Sequence, residues 1–183
     1  MKVTSSELVQ VNDLSFSMFI TEEQIKQRVK AIGLKISQKH ASTTPVFIAV
    51  LNGSFIFSAD LMRACTIDSE ISFVKLASYE GTSTTGVVTT LLGLDTIIKG
   101  KQVIIIEDII DTGTTMNSLI ETLKSHQPSG IEIATLLLKP DALKFDLKID
   151  YTGFEIPNDF VVGYGLDYNG IGRNLTGIYQ KVD

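Results

Sequence analysis

The sequence predicts an α/β domain in which a mainly parallel central sheet is flanked by helices. Several segments are continuously apolar, which is typical of strands that are buried on both faces. Segments with helical spacing of apolar residues alternate with them along the chain. The chain has 183 residues, a common length for one compact hydrophobic core.

The first helix is predicted to begin at a capping box formed by Thr21 and Gln24, because apolar residues then recur at helical spacing. A polar segment at residues 79–86 predicts a mobile loop. The remaining helices are predicted at residues 54–64 and 114–124, and the strands at residues 46–51, 71–78, 87–92, 102–106, 131–138 and 160–163.

Composition narrows the class of protein. The net charge of −5 argues against nonspecific attraction to nucleic acid or to an anionic membrane. The N-terminus lacks the apolar run of a signal peptide, and no window is apolar enough to span a membrane. Cys65 is the single cysteine, so no internal disulfide can form. We therefore expect a cytoplasmic protein without nucleic-acid or membrane partners.

Two adjacent acids, Glu107 and Asp108, follow the predicted strand at residues 102–106. Such a pair is costly at the end of a core strand unless it is hydrated, hydrogen-bonded or paired with a cation. Taken alone, the pair indicates an acidic strand end that faces water. Asp111, three residues further on, would by itself most often be a helix cap.

The continuation of this segment favours a phosphate site. A predicted helix opens with a glycine for close backbone approach, hydroxyl groups and unpaired amides, supplied by Thr112, Gly113, Thr114 and Thr115. Together with the helix dipole these groups form a pocket for a phosphate monoester. The two acids suit ribose hydroxyls and a hydrated Mg²⁺. A Walker loop and a dinucleotide fingerprint are both excluded, because their glycine and lysine patterns are missing.

Residues 103–115 resemble the phosphoribosyl-pyrophosphate motif of the type I phosphoribosyltransferases and match it at every position. The resemblance implies that fold, with residues 1–183 as one domain and a small hood formed from the N- and C-terminal segments. It implies that Glu107 and Asp108 hold the ribose hydroxyls, directly or through Mg²⁺. Asp111 would be the general base, and residues 111–115 would bind the 5′-phosphate.

Further segments resemble the hypoxanthine-guanine phosphoribosyltransferases. The segment Leu51, Asn52, Gly53, Ser54 is similar to their pyrophosphate loop. Many members carry a basic residue where this chain has Asn52, which leaves more of the diphosphate charge to Mg²⁺ and Arg173. Ser78 and Tyr79 resemble the start of a flexible lid that excludes water from the reacting centre.

The purine site of that family is matched by residues far along the chain. Lys139 would donate to the exocyclic oxygen on carbon 6 of the base, although by itself it could be a lysine that snorkels to solvent. Phe160 would stack on the base and Val161 would bind its edge through backbone groups. Asp167 would lie near the base and a second Mg²⁺, and Arg173 would bind the pyrophosphate.

The resemblance thus implies a purine-salvage enzyme that joins hypoxanthine, and also guanine, to 5-phosphoribosyl 1-pyrophosphate. It also implies a homodimer or homotetramer. Two alternatives stay open: a regulatory protein of the same fold that senses phosphoribosyl pyrophosphate, and a phosphoribosyltransferase for another base such as adenine or orotate. The acidic balance argues against the first, and Lys139 with Phe160 argues against the second.

Overall fold

The structure is a computed structural model that describes residues 8–77, 88–90 and 98–182. Its helices are α1 (Glu22–Lys39), α2 (Phe55–Ala64) and α3 (Thr114–Lys124), with a 3₁₀ turn at Pro140–Ala142. Its strands are β1 (Val9–Val11), β2 (Leu14–Ile20), β3 (Val46–Leu51), β4 (Glu70–Ala77), β5 (Val88–Thr90), β6 (Gln102–Ile110), β7 (Gly130–Leu138), β8 (Tyr151–Glu155), β9 (Val161–Val162) and β10 (Ile178–Lys181).

Six strands form the central sheet in the order β5-β4-β3-β6-β7-β8. Strand β5 is antiparallel to β4, and every other neighbouring pair is parallel. The α/β class with a mainly parallel sheet is therefore confirmed. Because the chain runs the same way in the parallel strands, their carboxyl ends share one edge of the sheet, where loops can build a binding site.

Both faces of the central sheet are covered, which explains why its strands are continuously apolar. On one face, Phe47 and Ile104 share a buried cluster with side chains of α1 and α2. On the other face, Ile48 and Ile105 share a cluster with the buried side of α3. Neighbouring residues of one strand thus point to opposite layers.

A second sheet combines strands from both ends of the chain, in the order β1-β2-β10-β9. All its pairs are antiparallel, with Val9 opposite Phe16 and Tyr179 opposite Val162. We call these four strands the small sheet. Its buried cluster is centred on Val11, Phe16 and Val162.

The predicted capping box of α1 is confirmed, because Gln24 N donates to Thr21 Oγ1 and Thr21 N donates to Gln24 Oε1, at 3.3 and 2.8 Å. Strands β1, β2, β8 and β10 were not predicted. Of the predicted loop and the predicted strands on either side of it, residues 78–87 and 91–92 lie outside the described residues. No helix in the described part of the chain is both long and apolar enough to cross a membrane.

A buried polar cluster lies near the start of β7, at the end of the sheet opposite to the carboxyl ends of the strands. Tyr151 Oη donates to Glu132 Oε2 at 2.6 Å, and Lys39 Nζ lies 2.9 Å from Glu132 Oε1. His40 Nε2 lies 3.1 Å from Glu132 Oε2. Burial opposes the charged form of Glu132, but the hydrogen bonds from these three residues outweigh it and lower the pKa of Glu132. The cluster therefore holds a carboxylate inside the fold.

Candidate functional site

The acidic pair lies within β6 rather than after it. The strand continues to Ile110, so the expectation that it ends at residue 106 is wrong. Glu107 is paired in register with Thr135 of β7, because the parallel ladder carries on past the acids. The acids are only 8% and 9% exposed, which also contradicts a strand end that faces water.

The burial of this pair has a clear electrostatic consequence. Burial and the neighbouring Asp108 carboxylate raise the pKa of Glu107 well above its ordinary value. Burial also raises the pKa of Asp108, while hydrogen bonds, including one from Ile109 N at 2.9 Å, and the Arg173 guanidinium oppose that rise. Two carboxyl groups in this setting favour a cation or hydroxyl donors beside them. The pair is therefore suited to a metal ion or to ribose hydroxyls.

A turn connects β6 to α3 and forms a small pocket. Gly113 is the N-cap residue of α3 and offers no side chain, so Asp111 does not have the capping role that is commonest for such a residue taken alone. The first amides of a helix have no partner within it and attract anions. The pocket has a volume of about 110 Å³ and is lined by Glu107, Ile109, Ile110, Asp111, Thr112, Gly113, Thr114, Thr115 and Met116. Its size and its amides suit a phosphate group.

Asp111 forms an ion pair with Lys139 across the ends of two neighbouring strands. Lys139 Nζ lies 2.8 Å from Asp111 Oδ2. The backbone supports this pairing, because Lys139 N donates to Ile110 O at 2.9 Å. The lysine side chain is 11% exposed and the aspartate side chain 50%. The pair thus places a cationic donor and a carboxylate acceptor side by side at the rim of the pocket.

The loop at residues 51–54 packs directly against the acidic pair. It follows β3 and contains a cis peptide bond between Leu51 and Asn52. A Cβ atom at Gly53 would lie 1.6 Å from Asp108 Oδ2, so only a glycine permits this approach. Ser54 is buried and donates through Oγ to Val50 O at 2.6 Å. Asn52 is exposed beside this loop.

Arg173 reaches the same place from the C-terminal part of the chain. Its guanidinium donates to Gly165 O at 2.6 Å and lies 2.7 Å from Asp167 Oδ1. Its positive charge opposes the rise that burial causes in the pKa of Asp108. Asp167 also accepts from Gly170 N at 2.6 Å. Within the described residues, no three His, Cys, Asp or Glu side chains form a cluster able to hold a metal ion, so Asp167 does not join Glu107 and Asp108 in such a cluster.

Phe160 and Val161, two of the residues expected to bind a purine, lie at strand β9 of the small sheet. Phe160 is 43% exposed, and its ring contacts Phe16 and Tyr168 with centroids 6.0 and 5.6 Å away. Val161 is buried in β9, opposite Gln180. Phe160 therefore presents ring surface to solvent while two aromatic rings support it. Ser78 and Tyr79, expected to begin a lid, lie outside the described residues.

Comparison with known proteins identifies the family in which this geometry occurs. Residues 20–169 match the phosphoribosyl transferase domain. The chain belongs to the phosphoribosyltransferase family. A curated relative of this family, the hypoxanthine-guanine phosphoribosyltransferase of Bacillus subtilis, is 42% identical over 159 residues, which cover 86% of this chain and 88% of the relative.

Solved structures of the family share this fold. A hypoxanthine-guanine phosphoribosyltransferase from Bacillus anthracis superposes with a TM-score of 0.86 at 39% identity, covering 96% of this chain and 100% of that one. A hypoxanthine phosphoribosyl transferase from Trypanosoma cruzi also has a TM-score of 0.86, at 32% identity and 95% coverage of both chains. The fold is that of the type I phosphoribosyltransferases.

Some residues that contact the site or the elements beside it were not singled out by the sequence analysis. Phe16 and Tyr168 support Phe160, and Tyr164 binds Asp60 of α2. Alternation of apolar and polar residues in β2 could have indicated that Phe16 is buried. Glycines on both sides of Tyr164 could have indicated an unusual backbone there.

Proposed function

We propose that this protein is a purine-salvage phosphoribosyltransferase that converts hypoxanthine, and also guanine, with 5-phosphoribosyl 1-pyrophosphate into IMP or GMP and pyrophosphate. The observation that carries the proposal is the ion pair between Lys139 and Asp111, 2.8 Å long, at the rim of the phosphate pocket. A free 6-oxopurine with a proton on nitrogen 7 presents a donor, that N–H group, beside an acceptor, the oxygen on carbon 6, along one edge.

The two side chains complement that edge, because one is a donor and the other an acceptor. Lys139 donates to the oxygen on carbon 6, and the amino group of adenine at that position would repel it. Asp111 takes the proton that nitrogen 7 loses as the new bond forms at nitrogen 9. General base catalysis of this kind contributes roughly 10²- to 10⁴-fold. Phe160 stacks on the base, and backbone groups at Val161 bind its edge.

The rest of the site handles the sugar and its leaving group. The amides at the start of α3 hold the 5′-phosphate. The bond from carbon 1 to the diphosphate lengthens first and leaves positive charge on the ribosyl ring. The amides of residues 51–54 and the guanidinium of Arg173 stabilise the departing diphosphate, because they are fixed in place before charge develops. Ser78 and Tyr79 are assigned to a lid that excludes water.

Mg²⁺ is the metal that we assign to this reaction. The buried Glu107 and Asp108 fit it, since their raised pKa values reflect a site in need of positive charge. Mg²⁺ commonly takes one or two protein carboxylates and completes its shell with water and substrate phosphates. When bound, it neutralises charge on the diphosphate. Asp167, held by Arg173, is assigned to a second ion beside the base.

Three broader assignments complete the proposal. We assign residues 1–183 to one domain, with the small sheet as its hood over the base. We assign the protein to the cytoplasm, without nucleic-acid or membrane partners. We also expect a homodimer or homotetramer; a C-terminal region has been studied for its role in the oligomeric state of the Trypanosoma cruzi relative.

The test is a phosphoribosyl-transfer assay with hypoxanthine, guanine, xanthine, adenine and orotate, each with and without Mg²⁺. We expect hypoxanthine and guanine to be converted and adenine and orotate to be rejected, with no turnover when the metal is removed. Turnover of adenine alone, or of no base at all, would overturn the assignment.

A further inference from the structure

Tyr164 has a backbone conformation that is rare for a bulky residue. Its φ is 49°, and its side chain is only 5% exposed. Few bulky residues adopt a positive φ, and the conformation persists only where the surrounding structure determines it. Strained residues of this kind cluster at active sites and ligand clamps. The contacts of Tyr164 must therefore hold this conformation in place.

The hydroxyl group of Tyr164 donates to Asp60 Oδ2 at 2.5 Å. Burial and this hydrogen bond raise the pKa of Tyr164, so the hydroxyl keeps its proton and remains a donor at neutral pH. Asp60 also pairs with Arg63, one turn along the same helix. A hydrogen bond to a charged acceptor is one of the stronger contacts available to a tyrosine.

Asp60 belongs to the helix that carries the pyrophosphate loop. Helix α2 begins at Phe55, directly after residues 51–54. Asp60 lies five residues further on, roughly 8 Å along the helix axis. Because a helix is rigid over this length, a contact that fixes the position of Asp60 also fixes the position of the loop that precedes the helix.

The residue after Tyr164 contacts both halves of the pyrophosphate site. Gly165 N donates to Arg173 O at 2.9 Å, and Gly165 O accepts from Arg173 Nη1 at 2.6 Å. On its other side, Gly165 packs on the carbonyl oxygen of Gly53, since a Cβ atom at Gly165 would lie 2.0 Å from that oxygen. Residues 163–166 are thus a spacer between Arg173 and the loop at residues 51–54.

We propose that the Tyr164–Asp60 hydrogen bond is a positioning contact that sets the distance between Arg173 and the amides of residues 51–54. This inference rests on the proposed function, in which these two groups grip the diphosphate from two sides. Tyr164 and Asp60 touch no substrate in this scheme. They act through Gly165 and through α2.

Tyr164→Phe tests the contact because it removes one oxygen atom and keeps the ring. We expect the KM for phosphoribosyl pyrophosphate and the Kd of inorganic pyrophosphate with Mg²⁺ to rise roughly tenfold, in line with the loss of a hydrogen bond to a charged group. The KM for hypoxanthine should stay within about twofold. This split separates positioning from a general loss of stability, which would leave both substrate constants unchanged in the folded fraction.

Tyr151→Phe is the matched control. It also removes a buried tyrosine hydroxyl from a carboxylate, at 2.6 Å from Glu132, but at the opposite end of the sheet. We expect it to lower the melting temperature and to leave both the KM values and the pyrophosphate Kd unchanged. If Tyr164→Phe behaves like Tyr151→Phe, the positioning role is refuted.

Changes at Asp60 provide an independent arm should Tyr164→Phe fold poorly. Asp60→Asn keeps an oxygen acceptor, so its KM for phosphoribosyl pyrophosphate should stay within about threefold of wild type. Asp60→Ala should match Tyr164→Phe, and the double variant should be no worse than either single one. Independent, multiplying effects would refute the contact.

The pyrophosphate titration, followed by calorimetry, distinguishes this inference from the proposed function. If the wild-type protein converts no base but binds Mg²⁺-pyrophosphate more tightly than Tyr164→Phe does, the proposed function is refuted and the positioning contact stands. If the wild-type protein converts hypoxanthine and Tyr164→Phe binds pyrophosphate as tightly as wild type, the proposed function stands and the positioning contact is refuted.

Discussion

Replacing Gly165 with alanine should reduce catalysis with phosphoribosyl pyrophosphate in addition to destabilising the fold. Its φ is 107°, a conformation that L side chains rarely adopt, and the new methyl group would lie 2.0 Å from Gly53 O. The two loops would have to separate by about 1 Å, and a misplacement of that size can cost roughly 100-fold in catalysis. We therefore expect kcat/KM for phosphoribosyl pyrophosphate to fall about 100-fold.

The positive φ contributes a separate cost, on the order of 1–2 kcal/mol, that concerns stability alone. For a chain of this size that corresponds to a fall of roughly 2–8 °C in Tm. Gly100→Ala isolates this cost, because Gly100 has a φ of 72° and a methyl group added there would meet nothing within 4 Å. Gly100 precedes β6, at the end of the sheet away from the site.

The assay is steady-state kinetics with varied phosphoribosyl pyrophosphate, together with thermal unfolding of both variants. Gly100→Ala should lose stability and keep its kcat/KM within about threefold of wild type. Gly165→Ala should lose both. The reasoning is refuted if the two variants have similar kcat/KM values, because the close contact with Gly53 would then have no functional effect.

Three further predictions concern single side chains. Asp111→Asn should lower kcat about 10²- to 10⁴-fold while the KM for phosphoribosyl pyrophosphate changes little, and near wild-type turnover would remove Asp111 from the mechanism. Asn52→Lys should lower the KM for phosphoribosyl pyrophosphate about fivefold, roughly 1 kcal/mol, because it adds a positive charge beside the diphosphate. Repeating the kinetics at high salt should show a smaller effect. The pKa of Glu132 is lower in the folded protein than in the unfolded chain. Its negative charge therefore stabilises the fold at pH values above the pKa of the unfolded state, and this stabilisation is lost as the pH falls through the pKa of the folded state. Glu132→Gln should therefore cost about 2 kcal/mol in urea unfolding at pH 7, and the gap should narrow below about pH 4; a constant gap would contradict this.

Local patterns predicted the central sheet well. The apolar runs of β3 and β7 and the helix at Thr114–Lys124 follow from spacing and burial within one segment. The extent of β6 could not be predicted from its own segment, because charged residues normally end a buried strand. Glu107 stays in the ladder because Thr135 of β7 pairs with it, and this partner is not visible in the local sequence.

The small sheet and the spacer at residues 163–166 depend on contacts between distant segments. Strand β10 has four residues and owes its place to β2, so its own propensity decides little. The bond between Tyr164 and Asp60 likewise joins residues that share no local pattern. Sequence reasoning identified the chemical groups of the site, whereas the contacts that space them required the fold.

The pairing of β2 with β10 also affects how the protein is made. These strands lie roughly 160 residues apart, so β2 leaves the ribosome roughly ten to thirty seconds before its partner at ordinary rates of translation. During that interval Phe16 has only β1 as a partner strand. The central sheet can form earlier, so the surface that supports Phe160 is the last part of the molecule to be assembled, and it is the part of the nascent chain most open to chaperones.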